Sequence, residues 1–207
     1  MLASARQRQD SPHRSAGYEV LSCPHYESEG RSPVRALGFA GFSGSGKTTL
    51  IESLIPLLRG DGLVVSLVKH AHHDFDVDMP GKDSWRHRQA GAQEVLVTSE
   101  RRWALMHELR GSPEPGLEQH LARLSACDLV LVEGFKRAPF AKIEVRRHGH
   151  PAPPMAPDDP WIIAIAADHD LEDAGLPVLD LNQPRAVAQF IVGWLAQAPM
   201  RAPEDGC

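Results

Sequence analysis

The stretch "GFSGSGKTTL" at 41–50 restricts what this chain can fold into more than any other. It satisfies G-x-x-x-x-G-K-[ST] through Gly41, Gly46, Lys47 and Thr48. The context fits as well. "VRALGFAG" before it is a short apolar run ending in glycine, as for a buried strand, and "GKTTLIESLIPLLRGDG" after it has leucines at helical spacing. A strand, a glycine turn and a helix start together form a phosphate grip. Glycines let backbone amides turn inward, and the helix adds unpaired donors and the positive end of its dipole. Contacts to phosphate are expected from Gly41, Ser43, Gly44, Ser45, Gly46, Lys47, Thr48 and Thr49. Lys47 supplies a point charge for the β and γ phosphates, and Thr48 a hydroxyl ligand for Mg²⁺.

The rest of the chain continues the alternation. "LVVSLVK" at 63–69 is a second expected buried strand, "DSWRHRQAGA" a short helix capped by Asp83 or Ser84 and ended by Gly91. "QEVLVTS" and "RRWALMHE" are two strands joined by a charged turn around Glu100, and "GLEQHLARLS" is helical. "CDLVLVEG", "AKIEVRR", "WIIAIAA" and "LPVLDLN" supply further strands, and "QPRAVAQFIVGWLAQ" a closing amphipathic helix with Pro184 in its first turn. Pro56 should kink the first long helix or end it early. "HGHPAPPMAPDDP" is expected to be an exposed loop. The alternation predicts an α/β fold: three layers, with a mostly parallel central sheet flanked by helices. Residues 35–197 are expected to form this nucleotide-binding domain, residues 1–34 a disordered extension and 198–207 a loose tail.

Composition excludes several classes. The 207 residues carry a net charge of −5 without a basic stripe, which argues against nucleic acid or an anionic membrane surface as partner. The longest apolar runs are too short to span a bilayer. Three cysteines with no CxxC spacing support neither a disulfide framework nor structural zinc, and a reducing cytoplasm is the expected setting. The first residues lack the apolar core of a secretion signal.

A magnesium nucleotide site also needs a carboxylate at the end of a neighbouring strand. In "CDLVLVEG" Glu133 lies at the strand's C-terminal end, on the phosphate side, whereas Asp128 lies a strand's length away and is expected to be a solvated strand-start residue. Lys47 and Glu133 are therefore the candidate catalytic pair, and Thr48 and Glu133 candidate metal ligands. Lys69 ends the second strand at the same rim. It can reach a nucleotide or anionic substrate, or form a surface ion pair. Asp83 can join Thr48 and Glu133 around the metal, with the same alternative. Lys136 and Arg137 are expected to be exposed turn charges, the other reading being contact with a phosphate-bearing partner.

"KHAHHDFDVDMPGKD" resembles the start of a calcium loop at Asp74, Asp76 and Asp78, but Met79 stands where glycine is required and Trp85 where the closing glutamate belongs. His70, His72 and His73 with those aspartates can bind zinc; a solvated, mobile loop is the expected reading. No arginine finger or general base is evident. There is also no N-K-x-D motif for guanine. "AADHD" at 166–170 and "NQP" at 182–184 follow late strands, and Asp168 is the candidate acceptor for guanine donors.

These stretches together resemble one family. "GFSGSGKTTL", "LVKHAHHDFDVDMPGKDSWRHRQAGA", "RRWALMHE", "DLVLVEGFKRAPFAKIEV" and "LPVLDLN", spread over about residues 36–197, are similar to the molybdopterin-guanine dinucleotide biosynthesis protein B (MobB) family. The resemblance implies a P-loop protein of the branch containing dethiobiotin synthetase and the metallochaperone GTPases. It implies GTP and Mg²⁺ as ligands, slow hydrolysis, a homodimer, and a role beside a molybdenum cofactor guanylyltransferase of the MobA type acting on the molybdopterin cofactor. It also implies Lys69 and Glu133 as site residues and Asp83 as a third magnesium partner. A kinase or ligase of the dethiobiotin-synthetase type, with Lys69, Lys136 and the histidine-rich loop holding an acceptor, and a GTP-dependent metallochaperone are the alternative activities.

Overall fold

The computed structural model describes residues 35–71, 75–171 and 174–197. The expected extension 1–34 and tail 198–207 lie outside the described residues, as do His72, His73 and Asp74. In chain order the elements are β1 (Ala36–Ala40), α1 (Lys47–Gly60), β2 (Val65–Lys69), α2 (Asp83–Gln89), β3 (Glu94–Thr98), β4 (Trp103–His107), α3 (Leu117–Leu121), β5 (Leu129–Glu133), β6 (Lys142–Arg146), β7 (Ile162–Ala167), β8 (Val178–Asp180) and α4 (Pro184–Gln197).

Six strands form one sheet in the order β2-β5-β1-β6-β7-β8, and every pairing in it is parallel. The inner strands β1, β5 and β7 are largely apolar on both faces, as a parallel sheet covered on both sides requires, whereas β6 turns Lys142, Glu144 and Arg146 to one face. Leu37 and Phe39 of β1, Leu129 and Leu131 of β5 and Ile143 and Val145 of β6 pack against Leu50, Leu54 and Leu58 of α1 and Val187 and Ile191 of α4. On the other face Val130 and Val132 meet Leu117 of α3, with Leu121, Phe135 and Phe140 around them. Helix, sheet and helix make the three layers. Among the described residues no helix is long and apolar enough to cross a membrane.

Three local expectations change. The second strand begins at Val65 and lies at the sheet edge with Leu67 41% exposed, so it is not fully buried. Helix α1 runs through Pro56 to Gly60. Its buried residues Leu50, Ile51, Leu54 and Leu58 hold one face on the core, whereas Pro56 is exposed, so packing outweighs the missing amide. The N-cap of α2 is Lys82, with Asp83 inside the first turn. The proline-rich loop exposes its prolines as expected, but it is pinned. Buried Glu144 accepts hydrogen bonds from the amides of Met155 (2.7 Å) and Ala156 (2.8 Å), and buried Lys142 pairs with Asp159 at 2.8 Å. Charges so enclosed need partners, and the loop supplies them.

Among the described residues strands β3 and β4 pair only with each other, antiparallel, from Glu94↔His107 to Thr98↔Trp103. The segment before α2 is tied to this hairpin by Arg88. Its guanidinium donates to Asp76 at 2.7 Å, to Asp78 at 3.3 Å and to Glu108 at 2.7 Å. Two of the three aspartates in the calcium-like pattern thus serve an ion-pair hub.

Candidate functional site

Strand β1 ends at Ala40, and the chain turns through residues 41–46 into α1 at the C-terminal rim of the sheet. Gly41 has φ +147°, and a Cβ there would lie 2.6 Å from Ser45 Oγ and 2.9 Å from the Val145 carbonyl oxygen, so only glycine fits. Gly46 caps α1 in the left-handed region at φ +96°. No side chain caps this helix and no acidic residue sits in its first turn. Its first amides and its dipole are therefore left to an external anion.

Lys47 reaches back over the turn, and its Nζ donates to the Phe42 carbonyl oxygen at 2.8 Å. Burial holds its pKa below the ordinary lysine value. The charge of Lys136 adds to the lowering, Glu133 opposes it and Lys69 adds a smaller push. Lys136 stands with Nζ 5.1 Å from the centre of the Phe42 ring. The turn that delivers it, just after β5, has two successive left-handed residues, Gly134 at φ +110° and Phe135 at φ +49°. An aromatic residue in that region is an uncommon, strained conformation. Lys136 is thereby placed beside Lys47 rather than left as a bland surface charge.

Glu133 lies at the end of β5, which pairs with β1 on one side and β2 on the other. Thr48 Oγ1 donates to Glu133 Oε1 at 2.8 Å, and Lys69 Nζ lies 3.4 Å from Glu133 Oε2. A hydroxyl and a carboxylate brought to hydrogen-bond distance make an all-oxygen donor pair, the kind that suits magnesium. Ser43, Gly44, Gly46, Lys47, Thr48, Thr49, Glu133 and Arg147 line one cleft of about 450 Å³, inside the range of roughly 300–1,000 Å³ of small-molecule sites. Ser45 is buried beneath it, its Oγ without a partner.

Other candidate residues stand elsewhere. Asp83 is exposed at the start of α2, with Arg86 at 3.8 Å, and among the described residues no hydrogen bond or ion pair joins it to Thr48 or Glu133. Asp128 accepts from the Val64 amide at 2.7 Å, tying the starts of β2 and β5 at the opposite rim. Asp168 follows β7 and lines a second cavity of about 450 Å³ with Asp170, Asp180 and Asn182. Its carboxylate already accepts the His148 amide at 2.6 Å and meets His169 Nδ1 at 3.0 Å. The His148 amide, and after it His169, hold its pKa below the ordinary aspartate value. His70 Nε2 lies 2.8 Å from Glu114 and its ring packs on Phe135, so this member of the histidine-rich loop has protein neighbours.

Two site residues escape the sequence reading. His150 Nε2 lies 2.9 Å from the Ser43 carbonyl oxygen, and its ring stacks with Phe42. Arg147 lies against Gly46 in the cleft. The signal for Arg147 is present in "KIEVRR": alternation along β6 puts it on the face of Ile143 and Val145, at the rim next to β1.

Comparison with known proteins bears on the whole domain. Residues 36–168 match the family model described as molybdopterin guanine dinucleotide synthesis protein B. The chain is 44% identical over 170 residues to the molybdopterin-guanine dinucleotide biosynthesis adapter protein of Escherichia coli (strain K12), covering 80% of this chain and 96% of that one. The Haemophilus influenzae protein of the same name is 43% identical over 165 residues, covering 78% and 90%. Among solved structures, a crystal structure of molybdopterin-guanine biosynthesis protein B aligns with a TM-score of 0.58 at 27% identity, over 78% of this chain and 99% of that chain. Bacillus subtilis MobB aligns with a TM-score of 0.62 at 25% identity, over 79% and 99%. With a family model covering more than half of its length and relatives this similar over most of it, the chain belongs to the MobB family.

Proposed function

We propose that this chain is a GTP-binding adapter in molybdopterin guanine dinucleotide biosynthesis, with little turnover of its own. The observation that carries the reading is the cleft in which the uncapped start of α1, Lys47 and the Thr48–Glu133 pair converge. The relatives' name as biosynthesis adapter proteins gives the pathway. In this reading Lys47 leaves the Phe42 carbonyl for the β and γ phosphates, and the amides from residue 41 onward hold their oxygens. Thr48 and Glu133 would hold Mg²⁺, which supplies neutralisation of the phosphate charge. Lys69, already beside Glu133, keeps that carboxylate oriented. A guanylyltransferase of the MobA type and its molybdopterin substrate are the proposed partners, and a second copy of the chain completes a homodimer.

Two carboxylates of the loop before α2, Asp76 and Asp78, are engaged by Arg88, which favours the adapter over a metallochaperone. Hydrolysis without an assisting protein should be slow, on the order of 10⁻⁴ to 10⁻² per second for sites of this kind. Equilibrium titration with GTP and ATP tests the reading: GTP should bind more tightly, and Lys47→Ala should weaken it roughly 10- to 100-fold, the loss of one charge-assisted contact. Glu133→Gln should spare binding and depress magnesium-dependent hydrolysis. Equal binding of GTP and ATP, or none, defeats the GTP assignment, and a silent Glu133→Gln defeats the metal assignment. Rapid nucleotide consumption with an acceptor present would favour a kinase or ligase instead.

A further inference from the structure

Arg147 is the first residue beyond β6, and the strand's alternation decides which way it leaves the sheet. Ile143 and Val145 belong to the core shared with α1, whereas Glu144 and Arg146 face the other side, where they pair at 2.8 Å. Arg147 continues the row of Ile143 and Val145, so it emerges on the side of α1, at the rim where that helix begins. Its guanidinium lies against the last glycine of the phosphate loop: a Cβ on Gly46 would come 2.9 Å from Nε and 3.0 Å from Nη2. It lines the cleft shared by Lys47, Thr48, Thr49 and Glu133. The side chain is exposed, and among the described residues no carboxylate pairs with it. The other two basic residues of this segment, Lys142 and Arg146, both have acidic partners.

We infer that Arg147 is a nucleotide phosphate ligand acting within its own chain, on the α-phosphate end of the polyphosphate. The sheet order carries the choice of end. β1 lies between β5 and β6, so the Thr48–Glu133 pair with Lys69 and Lys136 occupies one flank of the phosphate loop. Arg147 occupies the other, on the side of β7 and β8, where Asp168 and Asn182 line the cavity available to a base. A polyphosphate whose terminal group lies with the metal pair and whose nucleoside points toward β7 passes Arg147 at its α phosphate. A guanidinium fork matches phosphate oxygens two at a time, and Arg147, exposed to water and unpaired among the described residues, has both prongs available.

The inference rests on the GTP-binding reading, and the test separates the two. GTP and GDP are titrated into the full chain and into Arg147→Ala and Arg147→Lys, with thermal melting of each protein without nucleotide. Arg147→Ala should weaken both nucleotides by a similar factor, roughly 10- to 100-fold, because the α phosphate is common to them. Arg147→Lys should recover part of the loss, and the nucleotide-free melting temperatures should agree, since the side chain has no hydrogen-bond or ion-pair partner among the described residues to lose. Undiminished GDP affinity in Arg147→Ala overturns the inference while leaving the GTP-binding reading standing, and so does a loss confined to GTP. Absence of binding of either nucleotide to the unaltered protein overturns both.

Discussion

Lys47 holds its charge in a partly dehydrated place beside another cation, which makes its protonation a reporter of the site. Burial first, and then Lys136, lower its pKa below 10.5. The folded apo protein therefore binds this proton less tightly than the unfolded chain does. A phosphate chain in the cleft supplies the missing counter-charge, raises the pKa again and binds best to the ammonium form. GTP affinity should thus be level near neutral pH and weaken as pH rises through the lowered Lys47 pKa. Lys136→Met, which removes the neighbouring charge, should move that decline to higher pH. Titrations across an alkaline pH series check this, and a decline that ignores Lys136→Met would remove the coupling between the two lysines. The motif and the direction of β5 made Lys47, Thr48 and Glu133 legible as neighbours, because both depend on local spacing. What Asp168 does was not legible. Its carboxylate is held by the His148 amide, 20 residues earlier, through a loop whose path no local pattern dictates.

At the level of elements, the parallel strands and both long helices follow from apolar runs and helical periodicity, and in α1 and the proline-rich loop tertiary partners add what local preference does not show. Helix α1 is the clearest case, since Pro56 neither ends it nor lies among its buried residues. The proline deprives Glu52 of a helical donor on the exposed side. Proline in a helix interior is about 3 kcal/mol less favourable than alanine, and its restriction of the unfolded chain returns about 0.4–1 kcal/mol. Pro56→Ala should therefore stabilise the domain by about 2 kcal/mol and raise its melting temperature by about 4–8 °C, at roughly 2–4 °C per kcal/mol for a chain of this size. A fall in melting temperature would mean that the helix needs the bend the proline allows. The pinned loop at 153–159 makes the same point from the other side. Its prolines are exposed, as they suggest, and the partners that buried Lys142 and Glu144 require still lie within it, which no local pattern shows.

For the whole molecule, the main contrast lies between the six-stranded sheet, covered on both faces, and the hairpin of β3 and β4. Two strands alone are marginal in water, and among the described residues no further strand pairs with the edges of this pair. Val95 and Met106 are half-buried on the face toward α2, while the opposite face presents Leu96, Trp103 and Leu105, which are 59%, 66% and 49% exposed. The sequence showed two strands here but not that they leave the main sheet, because alternation specifies a face and not what covers it. Apolar exposure of this kind is a mark of association. The proposed homodimer fits, with the hairpin face of one copy against the same face of the other, as a two-fold contact demands. Leu96→Glu would set a carboxylate in each half of that contact, close to its own symmetry mate, with a cost in desolvation and repulsion and none in the domain core. The variant should sediment as a monomer and keep its GTP affinity. With Trp85, Trp161 and Trp194 replaced by phenylalanine, the emission left to Trp103 should shift to longer wavelength on dilution as the interface opens to water. A Leu96→Glu protein that sediments like the parent, with unshifted emission on dilution, would exclude the hairpin from the dimer contact.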